Sequence, residues 1–440
     1  MMGTSNPLRP LGRAFLAGVC ALGIGTAGAA DKPEQIDIGI SAFLSGPASV
    51  FGEPARAAAE IMAERINANG GIHGVPVNLS FIDEGAGSAH LLSEYRRLVQ
   101  SEDYDVMFAS ISSGNCLKVA PLAEDLEVIN LMWDCGTQRV FEEGDYNYVF
   151  RTQANATPEM LASVLYLLKT HPDFETIAVV NQDYAWGRDS WNIFRTALQT
   201  LKPDVEVVAE FFPKFGTPDF STEITRLLAM RPDVVLSTSW GGDLDNFVRQ
   251  AKQRGLDERS TLVLPLAESS LERLGEDMPT GAIVGARGDH YYAHPGYADD
   301  EKFNEFVSSF REKTGNVPIY SAFHMVQAFD ALQAAYDRAI EANGGEWPDT
   351  EALADAFEGL SFRGATSEIT IRPADHQGLE DQMLGTAKQV EGKDIAELCD
   401  ITVFPAEAIT TPAGEDSTEW LKGLSADLLD TDVTTYPGCH

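Results

Sequence analysis

The side chains best suited to chemistry in this sequence are histidines beside carboxylates, but their surroundings do not match a catalytic or metal-binding motif. His290 and His294 are four residues apart with Asp289 beside them, a spacing that would direct both imidazoles at one metal ion on a helix. The tyrosines and the Pro-Gly pair around them favour a strand or loop instead. His376 beside Asp375 is interpreted as a turn residue. Because the chain contains no HExxH, Walker, GxSxG or paired CxxC motif, we expect neither enzyme activity nor a metal or cofactor.

A glycine-rich phrase near the start of the chain spells the nucleotide-binding pattern GxGxxG, but its position argues against that function. Residues 23–28 lie at the end of a segment in which Arg9 and Arg13 precede an apolar run over residues 14–24, followed by small residues. This arrangement is typical of a secretory signal peptide cleaved just before Asp31. The sequence therefore predicts an exported, soluble product and no nucleotide site in this phrase.

The cysteines fit an oxidising compartment. Four remain after the predicted cleavage, and an even number in an exported chain indicates up to two disulfides. They are Cys116, Cys135, Cys399 and Cys439. Three pairings are possible, and sequence distance favours the first with the second and the third with the fourth. A lipoprotein signal at Cys20 is less favoured, because Val19 stands where a small residue is usual.

Length and charge narrow the class of protein further. The chain has 440 residues, of which 44% are hydrophobic and 22% are charged, so it is globular and long enough for two domains. The formal net charge of −35 argues against nucleic-acid binding, which requires clustered basic residues to neutralise phosphates. It also disfavours an anionic membrane surface as a partner.

Hydrophobic periodicity predicts an α/β fold. From residue 36 onward, short β-rich runs alternate with longer amphipathic stretches, as in βα units that build parallel sheets. The first series includes strands near 36–41 and 106–111, and a comparable second series covers residues 160–254. Two such series predict two similar lobes. The end of the chain, 411–440, is rich in Thr, Asp, Gly and Pro and is predicted to be a mobile tail.

Five phrases, taken in order, resemble one family. They are residues 38–47 (IGISAFLSGP), 66–72 (INANGGI), 150–152 (FRT), 183–189 (DYAWGRD) and 372–377 (RPADHQ). In this order they are similar to the type I periplasmic solute-binding proteins of ABC importers, in particular the leucine/isoleucine/valine-binding family. The likeness extends over nearly the whole mature chain.

This resemblance implies two α/β lobes joined by a three-crossing hinge, with a ligand held between them. It implies an N-terminal lobe of residues 31–152 and 289–361 and a C-terminal lobe of 153–288 and 362–410, after a signal peptide of residues 1–30. The implied function is periplasmic capture of a small organic solute, such as an amino acid or a related amine or carboxylate, for an inner-membrane permease. We expect a monomer. A ligand-sensing module of a receptor or regulator shares this fold and is the alternative.

The resemblance also indicates where the ligand lies, since loops that follow parallel strands converge on the cleft. Ser112 and Ser113 follow the strand at 106–111 and match the position at which the family binds a carboxylate; capping of the next helix is the competing interpretation. Asp243 falls near the acidic position that pairs with a ligand ammonium. The competing interpretation is that Asp243 only stabilises the N-terminus of the following helix with its negative charge.

Aromatic residues in the same loops predict an enclosure for the ligand. Tyr184 and Trp186 occupy a loop in which the family covers its ligand with an aromatic side chain, although each could instead be an ordinary buried ring. A bulky Trp133 followed by Asp134 departs from members that bind aliphatic amino acids, which puts leucine in doubt. With Trp240, and with Glu268 as a further acid, these residues could surround a cationic ligand; aromatic acids and quaternary amines are alternatives.

Overall fold

The computed structural model describes residues 30–439, so the predicted signal peptide, except for Ala30, lies outside the described residues. Two α/β lobes form this part of the chain, which confirms the predicted fold class. Within residues 30–439, no helix combines the length and apolar character needed to cross a membrane.

The N-lobe is built on a five-stranded parallel sheet in the order β2-β1-β3-β4-β5. Its strands other than the edge strand β2 are short, mostly apolar runs buried on both faces, because helices cover both sides of the sheet. Its first elements are β1 (Ile36–Ala42), α1 (Ser49–Ala68), β2 (Val77–Asp83), α2 (Ser88–Glu102), β3 (Val106–Phe108), α3 (Ser113–Asp125), β4 (Ile129–Met132), α4 (Arg139–Glu143) and β5 (Val149–Arg151).

The C-lobe repeats this plan and then extends it. Five parallel strands run in the order β7-β6-β8-β9-β10. The elements are α5 (Ala156–Thr170), β6 (Thr176–Val180), α6 (Ala185–Leu201), β7 (Glu206–Phe211), α7 (Ser221–Met230), β8 (Val234–Leu236), α8 (Gly241–Gln253), β9 (Thr261–Leu264), α9 (Leu271–Leu274) and β10 (Ile283–Gly285).

The chain then returns to the N-lobe before it completes the C-lobe. Helices α10 and α11 pack on α1, and a small antiparallel sheet of β11, β12 and β13 follows them. The elements are α10 (Glu301–Thr314), α11 (Tyr320–Ala342), α12 (Thr350–Phe357), β11 (Ser361–Arg363), β12 (Glu368–Ile371) and β13 (Gly378–Leu379). The last elements are β14 (Gln382–Lys388), β15 (Glu397–Phe404), α13 (Ala406–Ile409), α14 (Ser417–Lys422) and β16 (Thr434–Cys439). Strands β14, β15 and β16 add to β10 in antiparallel fashion, an extension that the sequence pattern did not predict.

The third passage between the lobes lies later in the chain than the expected boundary at residue 362. Strands β11 and β12 still pack with the N-lobe, where Phe362, Ile369 and Ile371 are buried beside α11. The first C-lobe strand after them is β14. The chain therefore crosses between β5 and α5, between β10 and α10, and between β13 and β14.

One buried carboxylate, Glu380, ties these three crossings together. Its Oε2 accepts a hydrogen bond from the Ala154 amide of the first crossing at 3.0 Å. Its Oε1 lies 2.9 Å from Nε2 of His290 in the second crossing and accepts a hydrogen bond from the Gln327 amide of α11. Burial opposes the charge of Glu380, but His290 and these donors lower its pKa below the ordinary value.

Residues 411–439 are ordered, and the prediction of a mobile tail is wrong for them. Helix α14 packs against α6, and the Ser417 hydroxyl accepts a hydrogen bond from Thr157 of α5. Strand β16 pairs with β15, and a disulfide joins Cys399 to Cys439 across this pair. Long-range pairing of this kind offsets the weak local preference of a polar, Gly- and Pro-containing segment.

Removing this bridge is expected to lower the free energy of unfolding by up to about 4 kcal/mol, because a loop of this length restricts the unfolded chain. The Cys399→Ala/Cys439→Ala variant and the wild type would be compared by urea unfolding without reductant. In dithiothreitol the two proteins should become equally stable, which is the control. Equal stability without reductant would show that the bridge does not constrain the chain end.

Candidate functional site

A narrow cavity lies between the two lobes. It is formed where the loops after the parallel strands of both sheets face each other, as expected for open α/β sheets. Its lining residues are Phe51, Ile111, Ser113, Asp134, Gly136 and Tyr320 of the N-lobe, Tyr184, Trp186, Trp240 and Leu266 of the C-lobe, and Arg287 of the second crossing.

Five of the residues proposed from the sequence line this cavity. Each stands just after a strand or at the start of a helix that follows one, so the sheet edges bring them together. They are Ser113, Asp134, Tyr184, Trp186 and Trp240.

Four other proposed residues are directed elsewhere. Trp133 is fully buried in the N-lobe, where its indole nitrogen donates to the Ser41 carbonyl at 3.1 Å. Asp243 accepts hydrogen bonds from Gln182 at 2.9 Å and from the Gly216 amide at 2.8 Å. The last two, Ser112 and Glu268, are held by contacts within the protein.

The amides near Ser112, expected to bind a ligand carboxylate, already have a carboxylate partner. Glu84 accepts hydrogen bonds from the Ile111 amide at 2.8 Å and from the Ser110 hydroxyl and Asn115 amide at 2.9 Å each. The Ser112 amide lies 3.4 Å from the same group. Glu84 therefore satisfies polar groups of the loop that leads into α3.

Glu268 is likewise engaged inside the protein. Its carboxylate accepts a hydrogen bond from the Tyr320 amide at the start of α11 at 2.9 Å. Burial raises the pKa of Glu268 to about 8, so this group is a poor source of negative charge for a ligand.

The principal residue that sequence reasoning missed is Arg287. Its side chain is 5% exposed, and it joins acids of both lobes: Nη1 lies 2.9 Å from Asp134, and Nε lies 3.1 Å from both oxygens of Glu159 on α5. The backbone here has φ values of +48° at Arg287 and +147° at Gly288. A Cβ at Gly288 would lie 2.5 Å from His290 Nε2, so the tight turn after β10 requires glycine.

The three charged groups perturb one another strongly. Burial raises the pKa of Asp134 to about 7 and that of Glu159 to about 7, although Arg287 opposes both shifts. For Arg287 burial opposes the charge, but the two acids more than compensate and raise its pKa. Arg287 therefore stays cationic, while its two partners are poised to take up protons near neutral pH.

Aromatic rings surround this charged centre. The Arg287 guanidinium lies 5.0 Å from the Trp186 ring centroid and 5.5 Å from that of Tyr320. Trp240 donates from its indole nitrogen to the Tyr184 hydroxyl at 2.6 Å and packs edge-on against Phe51. The walls of the cavity are thus flat and apolar, whereas the charge is concentrated at one end.

Three buried polar atoms of the lining residues have no hydrogen-bond partner within residues 30–439. They are Arg287 Nη2, Asp134 Oδ2 and Tyr320 Oη. Burying such groups unpaired is costly, so they favour a ligand that completes their hydrogen bonds.

The histidines considered for metal binding, His290 and His294, contact protein groups: His290 Nε2 lies 2.9 Å from Glu380 Oε1, and the Gly296 amide donates to His294 Nδ1 at 3.0 Å. His290, His324 and Glu380 lie close enough to hold an ion. However, His324 Nδ1 lies 2.6 Å from Asp134 and its Nε2 lies 2.8 Å from the Arg287 carbonyl. His376 contacts the Val149 carbonyl at 3.1 Å, in agreement with a structural role.

A model of the family described as periplasmic binding protein matches residues 35–393, which is most of the chain. This chain belongs to the periplasmic binding protein family. The match confirms the resemblance seen in the sequence. Members of this family are binding proteins rather than enzymes, in agreement with the absence of catalytic motifs from the sequence.

Individual relatives of this periplasmic binding protein are distant. The Leu/Ile/Val-binding protein homolog 7 of Brucella abortus is 27% identical over 344 residues, which cover 72% of this chain and 83% of the relative. An ABC-transporter solute-binding protein from Rhodopseudomonas palustris BisB5, solved with 3,4-dihydroxybenzoic acid, has a TM-score of 0.72 at 20% identity and covers 85% of this chain and 98% of its own. An amino acid ABC-transporter substrate-binding protein from Pseudomonas fluorescens Pf-5 has a TM-score of 0.73 at 20% identity, with 87% and 99% coverage. At such identities these structures support the fold alone.

A disulfide and a glycine fix the loop that carries Asp134 in this binding protein. Cys135 is bonded to Cys116 of α3. A Cβ at Gly136 would lie 2.4 Å from the Trp186 ring and 3.0 Å from Arg287 Nη2. The lobes can therefore approach this closely only because residue 136 has no side chain.

Gly136→Ala is expected to destabilise the closed form by about 1 to 3 kcal/mol, because a buried indole cannot move away freely. Thermal unfolding and intrinsic tryptophan fluorescence would measure the effect. Gly114→Ala is the matched control, since its Cβ would meet Ser112 Oγ no closer than 4.0 Å. A Gly136 variant as stable as the control, with unchanged fluorescence, would contradict the close contact.

Proposed function

We propose that this protein is the periplasmic solute-binding component of an ABC importer and that its ligand is a small organic carboxylate. The family match and the solute-binding proteins among its structural relatives support the general role. The solute would be enclosed between the lobes and then delivered to the permease in the inner membrane. Capture requires the closed form to bind the ligand better than the open form does.

The observation that carries the carboxylate assignment is Arg287 Nη2. This donor is buried, lines the cavity and lacks a hydrogen-bond partner in the described part of the chain. A guanidinium is the group best suited to recognise a carboxylate, through short charge-assisted hydrogen bonds. In addition, Glu84 already accepts hydrogen bonds from the loop that precedes α3, whereas Arg287 Nη2 has no partner within residues 30–439.

The cavity favours an aromatic acid over a cationic amine. The sequence suggests three acids that could pair with a ligand ammonium. Asp243 and Glu268 accept hydrogen bonds from other groups and do not line the cavity. Asp134 lines the cavity but pairs with Arg287. Flat rings at Tyr184 and Trp186 suit a planar ligand. A structural relative from Rhodopseudomonas palustris was solved with 3,4-dihydroxybenzoic acid, which is an aromatic acid and so supports this ligand class.

An amino acid is the second candidate, because an amino acid-transport protein is among the structural relatives. Its carboxylate would bind Arg287 and its ammonium would need Asp134 in the ionised form. An amino acid thus needs Asp134 in its ionised form, whereas an aromatic acid needs it in its neutral form.

Arg287→Lys is expected to weaken binding of benzoate or a hydroxybenzoate about 100-fold or more, since lysine lacks the Nη2 donor and the planar fork that would bind the carboxylate. Titration calorimetry over a panel of benzoates, aliphatic acids, amines and L-amino acids would measure this. Lysine keeps the positive charge between Asp134 and Glu159, so the fold should survive.

Arg188→Lys is the matched control, because Arg188 lies close by on α6 but pairs with Asp183 on the surface. Its affinities should equal those of the wild type. Binding of amines alone, or carboxylate binding that is unchanged in Arg287→Lys, would refute the proposed ligand class.

A further inference from the structure

We propose that each monoanionic carboxylate captured by this protein enters together with one proton, held by the Asp134–His324 pair beside Arg287. This inference rests on the proposed function and specifies how the same site accepts its ligand. It concerns a charge balance that the cavity imposes, because the ligand's negative charge must be placed next to a buried carboxyl group.

The hydrogen bonds of His324 require a proton on this pair. Its Nε2 lies 2.8 Å from the Arg287 carbonyl, which can only accept, so Nε2 must carry hydrogen. Its Nδ1 lies 2.6 Å from Asp134 Oδ1. A neutral imidazole would then direct its Nδ1 lone pair at that oxygen. The contact is favourable only if Asp134 is a carboxylic acid or if His324 is an imidazolium; in both cases the pair has one proton and no net charge.

The burial of the two groups decides where this proton resides. Burial raises the pKa of Asp134 to about 7 and lowers the pKa of His324 well below its ordinary value. The proton therefore lies on Asp134, which donates to His324. Arg287 Nη1 can still donate to the same oxygen.

Arg151, a buried cation whose charge interacts with that of Glu159, donates to the Gln377 side chain and the Thr137 carbonyl. The other charged and titratable groups face Asp134. They are Arg287 from the second crossing, Glu159 of α5, Tyr184 at the start of α6, Tyr320 and His324 of α11, and the hinge pair His290 and Glu380. Glu159 already pairs with Arg287 through both of its oxygens. A second anion at Arg287 Nη2 is then tolerated only when one of the two acids, Asp134 or Glu159, is neutral, since adjacent buried carboxylates repel each other strongly. The contact between Asp134 and His324 assigns the proton to Asp134.

Proton uptake by Asp134 and binding of a monoanionic ligand favour each other. Because the raised pKa of free Asp134 lies near 7, the pair already carries its proton at lower pH, and binding there takes up almost none. Above that pH the proton must come from solvent, so affinity for a monoanion falls towards tenfold for each further pH unit. A zwitterionic amino acid would behave differently: its ammonium would displace the proton, and binding below pH 7 would release it.

Titration calorimetry of the wild-type protein with benzoate and 4-hydroxybenzoate tests this without any variant. At each pH, two buffers that differ in ionisation enthalpy give the number of protons taken up per ligand. We expect that number to rise from near zero at about pH 6 to near one at about pH 8.5. The ligand carboxylate is fully ionised over this whole range, so it takes up no proton itself. Carboxylate binding with no proton uptake across this range would overturn the inference and leave the proposed function standing.

Two substitutions assign the proton to a residue. Asp134→Asn should abolish the uptake at pH 8.5, whatever its affinity, whereas the matched variant Glu159→Gln should retain it. The reverse pattern would contradict the assignment to Asp134. Proton release when L-phenylalanine binds, combined with benzoate binding that takes up no proton, would show an ionised Asp134 facing an ammonium and would overturn the inference. If no carboxylate of the panel binds, the proposed function itself fails, and this inference with it.

Discussion

A guanidinium cannot be buried without acceptors and negative charge around it, and this requirement at Arg287 organises the centre of the molecule. Asp134 comes from the N-lobe, Glu159 from the C-lobe and Arg287 from a crossing between them. The ion pairs therefore exist only when the lobes are together, so lobe closure would also assemble the proposed carboxylate site. Glu380 does the corresponding work at the hinge, where it holds all three crossings at one point.

The α/β architecture could be predicted because parallel strands buried on both faces produce short apolar runs that amphipathic helices separate. The antiparallel strands at the end of the C-lobe could not. Strand β16 is polar and contains Pro437 and Gly438, and its order depends on pairing with β15 and on a disulfide to Cys399. The third crossing was misplaced for a related reason, since β11 and β12 are short strands whose lobe is decided by packing against α11.

For the candidate site, sequence identified the loops better than the side chains within them. Parallel strands all end at one edge, which is why Ser113, Trp186 and Trp240 could be placed near the cavity. Which way a loop side chain faces depends on tertiary packing. Trp133 therefore points into the N-lobe core, whereas the adjacent Asp134 lines the cavity. Arg287 had a usable signal: it follows the apolar strand β10 and precedes a glycine. The nearby His290 and His294 suggest a metal site in the same segment, and this competing pattern hides the arginine between strand and glycine.

The last strand also shapes the outer rim of the C-lobe. Without β16, the eight residues of β15 would present a row of free amides and carbonyls along the edge of the sheet. β16 covers that row, and as the new outermost strand it offers Pro437, which has no N–H to donate. A neighbouring molecule therefore finds a poor template for adding its own strand, and β16 discourages edge-to-edge aggregation.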